Sequence, residues 1–174
     1  MTALTLTLIG PDRPGLVRTL SERITAVGGN WLESRMARLA GQFAGILLVD
    51  IPAAEVERFI AELQALEREG LRATAERGLR EEPAVQHRTL LLELVGQDRP
   101  GIVREIAQAL AGRGVNIEEL TTRVVSGSFS GESLFEAGAK LRVPPEVPAD
   151  ELQELLEKLA NELMVDISLD QPTS

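Results

Sequence analysis

The amino-acid sequence predicts an α+β fold made of two tandem copies of one β-α-β-β-α-β unit. Residues 10–18 read GPDRPGLVR and residues 96–104 read GQDRPGIVR, so seven of nine positions are identical at an offset of 86. The same hydrophobic patterns follow in the same order in both halves. The chain has 174 residues, of which 44% are hydrophobic, and this suffices for two small cores. The same offset aligns two sets of alternating leucines, namely Leu4, Leu6 and Leu8 with Leu90, Leu92 and Leu94.

The first copy begins with a strand followed by a helix. In residues 3–9 threonine and leucine alternate, which is typical of a strand with one buried face. The DRPG stretch then begins a helix, with Pro14 in its first turn and Asp12 in place for a cap or a first-turn acid. Apolar residues recur at helical spacing as far as Val27, and the pair Gly28–Gly29 ends the helix.

A hairpin, a second helix and a closing strand complete the first copy. Residues 30–39 and 42–51 predict two strands joined by a turn at Ala40–Gly41. The apolar residues that follow recur at helical spacing. This second amphipathic helix ends at Gly70, and residues 71–77 form the closing strand.

The second copy repeats this order. Its hairpin turn is six residues longer and reads SGSFSGES at 126–133, which we interpret as a hairpin loop because it lacks the lysine of a phosphate-binding loop. Asp150 is placed to be the N-cap of the last helix. The predicted elements are a strand at 88–95, a helix at 100–113, strands at 116–125 and 133–143, a helix at 150–163 and a strand at 164–169.

This order of elements predicts the split β-α-β, or ferredoxin-like, fold in each copy, with four antiparallel strands and two helices on one face. We expect a first domain at residues 1–78, a polar linker at 79–87 and a second domain at 88–174. The uncovered sheet face and the sheet edges need burial. Two copies in one chain or a homodimer can supply it, and the open edges favour association.

Composition excludes several functional classes. Without Cys, the chain has no disulfide framework, thiolate nucleophile or cysteine zinc site, and a single His excludes a metal site with two imidazoles. No nucleophile–base constellation is visible, so we expect no enzyme activity, no metal and no cofactor. The net charge of −9 disfavours direct binding to nucleic acid or to a membrane, and the lack of a signal-peptide pattern points to the cytoplasm.

The repeated turn offers chemistry suited to a small zwitterion. N–H groups at a helix N-terminus attract a carboxylate. Asp12 and Asp98 would add an acceptor for an ammonium group, and Asn30 and Asn116 would add an amide at the adjacent strand start. Glycines let the backbone approach a ligand closely. The two turns contain four of them, Gly10, Gly15, Gly96 and Gly101. A purely structural alternative stays open, in which the aspartates cap the helices and the glycines permit tight packing.

The repeated unit resembles the ACT-domain family, whose members are small regulatory modules that bind amino acids. The resemblance lies in a strand followed by the motif G-x-D-R-P-G-[LI]-V, a helix, and G-[GV]-N at the start of the next strand. Longer stretches at 30–52, 116–124 and 133–144 resemble the tandem-ACT group of the glycine cleavage system transcriptional repressors. The resemblance implies a ligand in the loop after the first strand, often at a domain–domain interface. The ligand-binding residues that it implies are Gly10, Asp12, Gly15, Leu16 and Asn30 in the first copy, and Gly96, Asp98, Gly101, Ile102 and Asn116 in the second.

The resemblance therefore implies a non-enzymatic regulator that responds to a small amino acid, with glycine as a candidate. Because the chain is acidic and shows no helix-turn-helix pattern, we expect it to act on transcription through a DNA-binding regulator protein and not by direct DNA contact. The alternative is a ligand-free ACT module that serves only in dimerisation or assembly.

Overall fold

Two folding units make up the chain, one within Met1–Glu81 and the other within Glu82–Ser174. The computed structural model describes residues 1–78, 86–126 and 132–172. Most of the predicted linker and the central part of the loop at 126–133 lie outside the described residues. None of the helices within the described ranges is long and apolar enough to cross a membrane.

The first unit has the predicted order of strands and helices. Its elements are β1 (Thr2–Pro11), α1 (Leu16–Ala26), β2 (Asn30–Leu39), β3 (Gln42–Ile51), α2 (Val56–Ala65) and β4 (Arg72–Arg77). The strands form one antiparallel sheet in the order β2-β3-β1-β4, so β2 and β4 are its edges. Short 3-10 turns flank α2 on both sides.

The second unit repeats the first. Its elements are β5 (Arg88–Gln97), α3 (Ile102–Ala111), β6 (Asn116–Ser126), β7 (Ser133–Val143), α4 (Ala149–Leu163) and β8 (Val165–Asp170). The sheet order is β6-β7-β5-β8, again with antiparallel neighbours. The predicted β-α-β-β-α-β fold is therefore confirmed in both units.

Each unit has its own hydrophobic core between one sheet face and the two helices. Alternate residues of the inner strand β1 are buried, which confirms the strand pattern, and they share a core with Leu20 of α1 and Phe59 of α2. In the second unit Leu92 of β5 packs in a core with Ile106 of α3 and Leu156 of α4. Burial of such apolar surface contributes about 25 cal/mol per Å² and holds each sheet against its helices.

The hairpin of the first unit turns where the sequence predicts it. Ala40 and Gly41 have positive φ angles of 48° and 78°, as a type I′ turn requires, and this turn matches the twist of β2 and β3. Helix α1 also ends as predicted. The N–H of Gly28 donates to the carbonyl of Thr25 at 2.9 Å, and Gly28 takes a left-handed conformation.

The predicted helix starts are wrong at two places. The N-cap residue of α1 is Gly15, so Pro14 precedes the helix, and no side chain, Asp12 included, caps this helix end. The left-handed Gly15 continues the turn and delays the start of the helix. The N-cap residue of α4 is Pro148, and Asp150 lies instead in its first turn, where its charge still favours the positive end of the helix dipole.

Met164 ends α4 in a left-handed conformation, with a φ of 53°, and the residue is 80% exposed. The first unit has Gly70 at the corresponding place, with a φ of 83°. We expect Met164→Gly to raise the free energy of unfolding of the second unit by about 1 kcal/mol, because glycine adopts this conformation without a clash from a Cβ. Slower amide hydrogen exchange in β8 would measure this gain in stability. The reverse control is Gly70→Met, which should speed amide exchange in β4 of the first unit. Faster exchange in the Met164→Gly variant would contradict this expectation.

Candidate functional site

The turn between the first strand and the first helix has the same backbone in both units. Gly15 and Gly101 precede α1 and α3 with φ angles of 95° and 98°. A Cβ on Gly15 would meet no atom within 4 Å, so the left-handed conformation, and not crowding, requires glycine. The first helical hydrogen bonds run from the N–H of Thr19 to Gly15 at 2.8 Å and from the N–H of Glu105 to Gly101 at 3.0 Å.

Each of these helices therefore begins with amide groups that can bind an anion. Helix geometry leaves the N–H groups of residues 16–18 and 102–104 without a partner inside the helix, at the positive end of the helix dipole. The side chains of Leu16 and Ile102 are buried. These two predicted site residues can thus offer a ligand only their main-chain amides, which suit a carboxylate.

Main-chain hydrogen bonds fasten each turn to the neighbouring hairpin. The N–H of Asp12 donates to the carbonyl of Gly41 at 2.9 Å, and the N–H of Asp98 donates to the carbonyl of Ser133 at 2.9 Å. Both aspartates are exposed. The backbone of the turn is thus held in place independently of any ligand.

The two aspartates differ in their ion pairs. Oδ2 of Asp12 lies 2.7 Å from Nε of Arg38 on β2. The position of Arg38 is taken in β6 by Val124, since each lies opposite a phenylalanine of the adjacent strand. Asp98 has no ion pair with any residue that the structure describes. One carboxylate oxygen of Asp12 is therefore already engaged, whereas the carboxylate of Asp98 is not.

The two helix starts differ as well. In the second unit Oε1 of Glu105 lies 3.4 Å from the position that a Cβ on Gly101 would take, and its Oε2 lies 3.5 Å from Nη2 of Arg99. An internal carboxylate thus lies at the start of α3. The first unit has Thr19 at this position, and Arg13 donates instead to a main-chain carbonyl of the 3-10 turn after α2, at 2.6 Å. Thr19 therefore places no carboxylate at the start of α1.

Asn30 and Asn116 lie at the opposite end of their sheets from these turns. Asn30 is opposite Asp50 of β3, which is opposite Ala3 at the beginning of β1. The turn follows the other end of β1, roughly 26 Å away at 3.3 Å per residue. Helix α1 runs antiparallel to β1, so β2 starts at the end of the sheet where β1 also starts. The expectation that the Asn30 amide lies beside the turn of its own unit is therefore wrong. Asn116 has the same place in the second sheet, and a role of either amide in ligand binding stays a prediction.

Gly10 and Gly96 have a packing role that the structure makes plain. A Cβ on Gly10 would lie 2.5 Å from the carbonyl oxygen of Gly70 and 3.2 Å from Cα of Leu71. A Cβ on Gly96 would lie 2.3 Å from Cγ1 of Val165. The second-to-last residues of β1 and β5 therefore need to be glycine, because a side chain there would collide with the chain at the start of β4 and β8.

Sequence reasoning missed three contributors to the site, namely Thr19, Arg38 and Glu105. The offset of 86 already pairs Thr19 with Glu105, so the difference between the copies was visible in the sequence. The contact of Arg38 with Asp12 was not, because it depends on how the hairpin folds back against the turn. Across the described part of the chain, no three His, Asp or Glu side chains are grouped closely enough to hold a metal ion.

Known proteins share this architecture. A crystal structure of an unknown protein from Galdieria sulphuraria is 30% identical and superposes with a TM-score of 0.87 over 99% of both chains. A proposed glycine cleavage system transcriptional repressor is 22% identical, with a TM-score of 0.75 over 99% of this chain and 98% of the other, and this likeness concerns the fold alone. A UPF0237 protein of Methanopyrus kandleri is 32% identical over 77 residues, which are 44% of this chain and 80% of that protein.

Two family models match the chain, one for each unit. The first, described as ACT domain, matches residues 2–73, and the second, also described as ACT domain, matches residues 90–162. The first matched range spans β1 to α2 and reaches the first two residues of β4, and the second spans most of β5 to α4 and ends before β8. The chain therefore belongs to the ACT-domain family and carries two ACT domains in tandem.

Proposed function

We propose that the chain is a non-enzymatic regulatory protein that binds a small free amino acid at the β1–α1 turn of its first ACT domain. The observation that carries the proposal is the open start of α1, where Gly15 positions three main-chain amides and Thr19 stands in place of the internal carboxylate of the second domain. The carboxylate of an amino acid would accept hydrogen bonds from these amides.

The ammonium group of the ligand would approach Asp12. Arg38 engages Oδ2 of this aspartate, and the other carboxylate oxygen stays available as an acceptor. The carboxyl and ammonium groups of one small amino acid would thus meet the helix start and the acid of the same turn. Glycine is the first candidate, because a protein of the same fold bears the name of a glycine cleavage system transcriptional repressor.

Regulation would act through a partner protein. The chain has a net charge of −9, which opposes direct contact with DNA phosphates, so a DNA-binding transcription regulator is the partner that we propose. An amino acid can regulate such a contact only by binding one arrangement of the protein more tightly than another.

The second candidate function is a ligand-free assembly module. Glu105 at the start of α3 favours it for the second domain, because this carboxylate already provides the negative charge that the helix end attracts. In this case both domains would serve only as scaffolds for association.

Thermal unfolding of the full chain with added amino acids distinguishes the two functions. Glycine, alanine and serine are each titrated to millimolar concentration. A ligand at about 100 times its dissociation constant raises the free energy of unfolding by about 2.7 kcal/mol. We expect at least one of them, glycine first, to raise the melting temperature. If none does, the assembly module is the better account.

A reciprocal exchange between the two domains locates the site. Thr19→Glu copies the acid of the second domain into the first, and we expect it to abolish the shift caused by the ligand. The matched control is Glu105→Thr, which alters the same helix position in the second domain and should leave that shift in place. A full ligand shift in the Thr19→Glu variant would overturn the assignment to the first domain.

A further inference from the structure

The edge strand β8 of the second domain borders a groove with an apolar floor. The sheet order places β8 at one edge, and no strand among the described residues pairs with its outer side. The groove has a volume of about 250 Å³ and lies between β8 and α4. The buried Leu156 of α4 and the half-buried Ile167 and Leu169 of β8 line it. Main-chain groups and apolar side chains are thus accessible along the same strand.

The side chains of β8 alternate between the two faces of the sheet. Ile167 and Leu169 pack against the core on the helix side. Asp166, Ser168 and Asp170 lie on the other face and are exposed. A strand that pairs with β8 would therefore meet apolar side chains on its helix side and carboxylates on its other side. This pattern suits an extended segment in which apolar and basic residues alternate.

The charge at this edge of the second domain is strongly negative. Helix α4 contains five acidic residues and one lysine, and β8 contains two aspartates and no basic residue, so the two elements carry a net charge of −6. The corresponding elements of the first domain, α2 and β4, contain three acidic and three basic residues and are neutral. The acidic character therefore belongs to this edge and is not shared by the same edge of the first domain.

The carboxylates beside the groove can accept contacts from a partner. Among the described residues, neither Asp166 nor Asp170 forms an ion pair. Glu157 of α4 lines the groove and accepts a hydrogen bond from Nε2 of Gln153 at 3.1 Å, but it pairs with no cation in the described part of the chain. Three carboxylates beside one strand edge thus lack a cationic counterpart there.

These charges disfavour a second copy of β8 as the occupant. Two paired copies would bring four aspartates and no cation to one strand pair. Like charges opposite each other destabilise paired strands. The occupant that fits is therefore a segment of a different protein that brings basic residues.

We propose that the groove beside β8 binds an extended basic segment of a different protein, which joins the sheet of the second domain as a fifth strand. Main-chain hydrogen bonds to β8 provide affinity. The apolar residues of the segment lie over Ile167 and Leu169, its lysines or arginines lie beside Asp166 and Asp170, and Glu157 adds attraction from the rim of the groove. DNA-binding proteins carry basic segments, so the surface suits the partner proposed above. The inference does not depend on a ligand in the first domain.

Binding of labelled synthetic peptides to the full chain tests the proposal. In the probe, lysine and valine alternate over the length of β8. In the matched control, the same residues form a block of lysines followed by a block of valines. We expect fluorescence anisotropy to show at least about tenfold tighter binding of the alternating peptide, because only alternation places lysines beside the aspartates and valines over the groove. Equal binding of the two peptides, or no binding of the alternating one, would overturn the proposal.

Charge reversal in β8 tests the position of the site. The double variant Asp166→Lys, Asp170→Lys should raise the Kd of the lysine–valine peptide at least about tenfold and should instead bind a peptide in which glutamate and valine alternate. The matched control is Glu57→Lys, Glu76→Lys, which makes the same change of net charge at exposed positions of α2 and β4. It should leave the Kd within about twofold, since salt screens distant surface charges.

Amide hydrogen exchange locates the bound peptide. Exchange in β8 should slow when the lysine–valine peptide is present, because outward N–H groups of the strand gain partners, and exchange in β4 should not change. Circular dichroism verifies that both double variants are folded. Absence of protection in β8, or an unaltered Kd after charge reversal there, would contradict the proposal. The response of the first domain to amino acids is measured separately by thermal unfolding, so failure of one proposal leaves the other standing.

Discussion

Phe59→Ala is expected to lower the free energy of unfolding of the first domain by about 3–5 kcal/mol. Phe59 lies on α2 with no exposed surface, in the same buried cluster as Leu6 of β1 and Leu20 of α1. Its removal loses the transfer free energy of a large aromatic ring and leaves a cavity that the surrounding strands and helices fill only in part. A domain of this size has little stability beyond that loss.

The single tryptophan makes this measurement specific to one domain. Trp31 is the second residue of β2 and packs against the core of the first domain, so its fluorescence during urea unfolding follows that domain. The control is Gln64→Ala on an exposed position of the same helix, where we expect a change within about 0.5 kcal/mol. An unfolding midpoint for Phe59→Ala equal to that of the control would contradict the assigned core.

Gly10→Ala is expected to lower the free energy of unfolding of the first domain by about 3 kcal/mol, near the upper end of the cost of overpacking. The added Cβ would lie 2.5 Å from the carbonyl oxygen of Gly70 and 3.2 Å from Cα of Leu71. Both are main-chain atoms, so no side-chain rotation relieves the contact. Strand β1 would have to move away from the chain that enters β4.

The control for this substitution is Gly78→Ala in the same domain. A Cβ there would meet the carbonyl oxygen of Ala3 at 3.5 Å, an ordinary contact, and we expect a change of at most about 0.5 kcal/mol. Urea unfolding followed by Trp31 fluorescence compares the two variants. A Gly10→Ala variant as stable as Gly78→Ala would show that the strand end tolerates a side chain.

Because Gly10 acts in packing, a loss of ligand response in its variant would reflect folding and not a lost ligand contact.

The two ACT domains differ in what the turn after their first strand can bind. The domains share a fold and a turn, and two of their differences lie beside the turn, Thr19 against Glu105 at the helix start and Arg38 against Val124 on the edge strand. In the first domain the residue at this helix position is the uncharged Thr19. In the second domain an internal carboxylate lies at the helix start, and Val124 stands on the edge strand in place of the arginine.

The sequence predicted the fold closely because its signals are local. Alternating leucines identified β1 and β5, and a turn that needs two positive φ angles identified the hairpin at Ala40–Gly41. The helix starts were harder to place. Asp150 has the right chemistry for an N-cap, yet Pro148 takes that position, since a cap depends on backbone conformation that residue type alone does not determine.

The candidate site was predicted only in part. The turn glycines, the aspartates and the helix amides were identified from the repeated motif, and the structure brings them together at the end of the first strand of each domain. Asn30 was expected beside the same turn and lies at the far end of the sheet. Spacing in the sequence could not reveal this, because the direction in which α1 returns along the sheet sets the position of the next strand.

By itself the sequence determined the duplication, the order of strands and helices, the two cores and the acidic charge, all of which follow from residue type and short-range periodicity. The tertiary structure alone decided that Arg38 engages Asp12, that Gly10 packs against the chain at Gly70, and that Asn30 and Asp12 are far apart. Each of these results concerns two residues that are distant in the chain. Their relative positions depend on the register of the strands and the direction of the helices, and a hydrophobic pattern in the sequence determines neither.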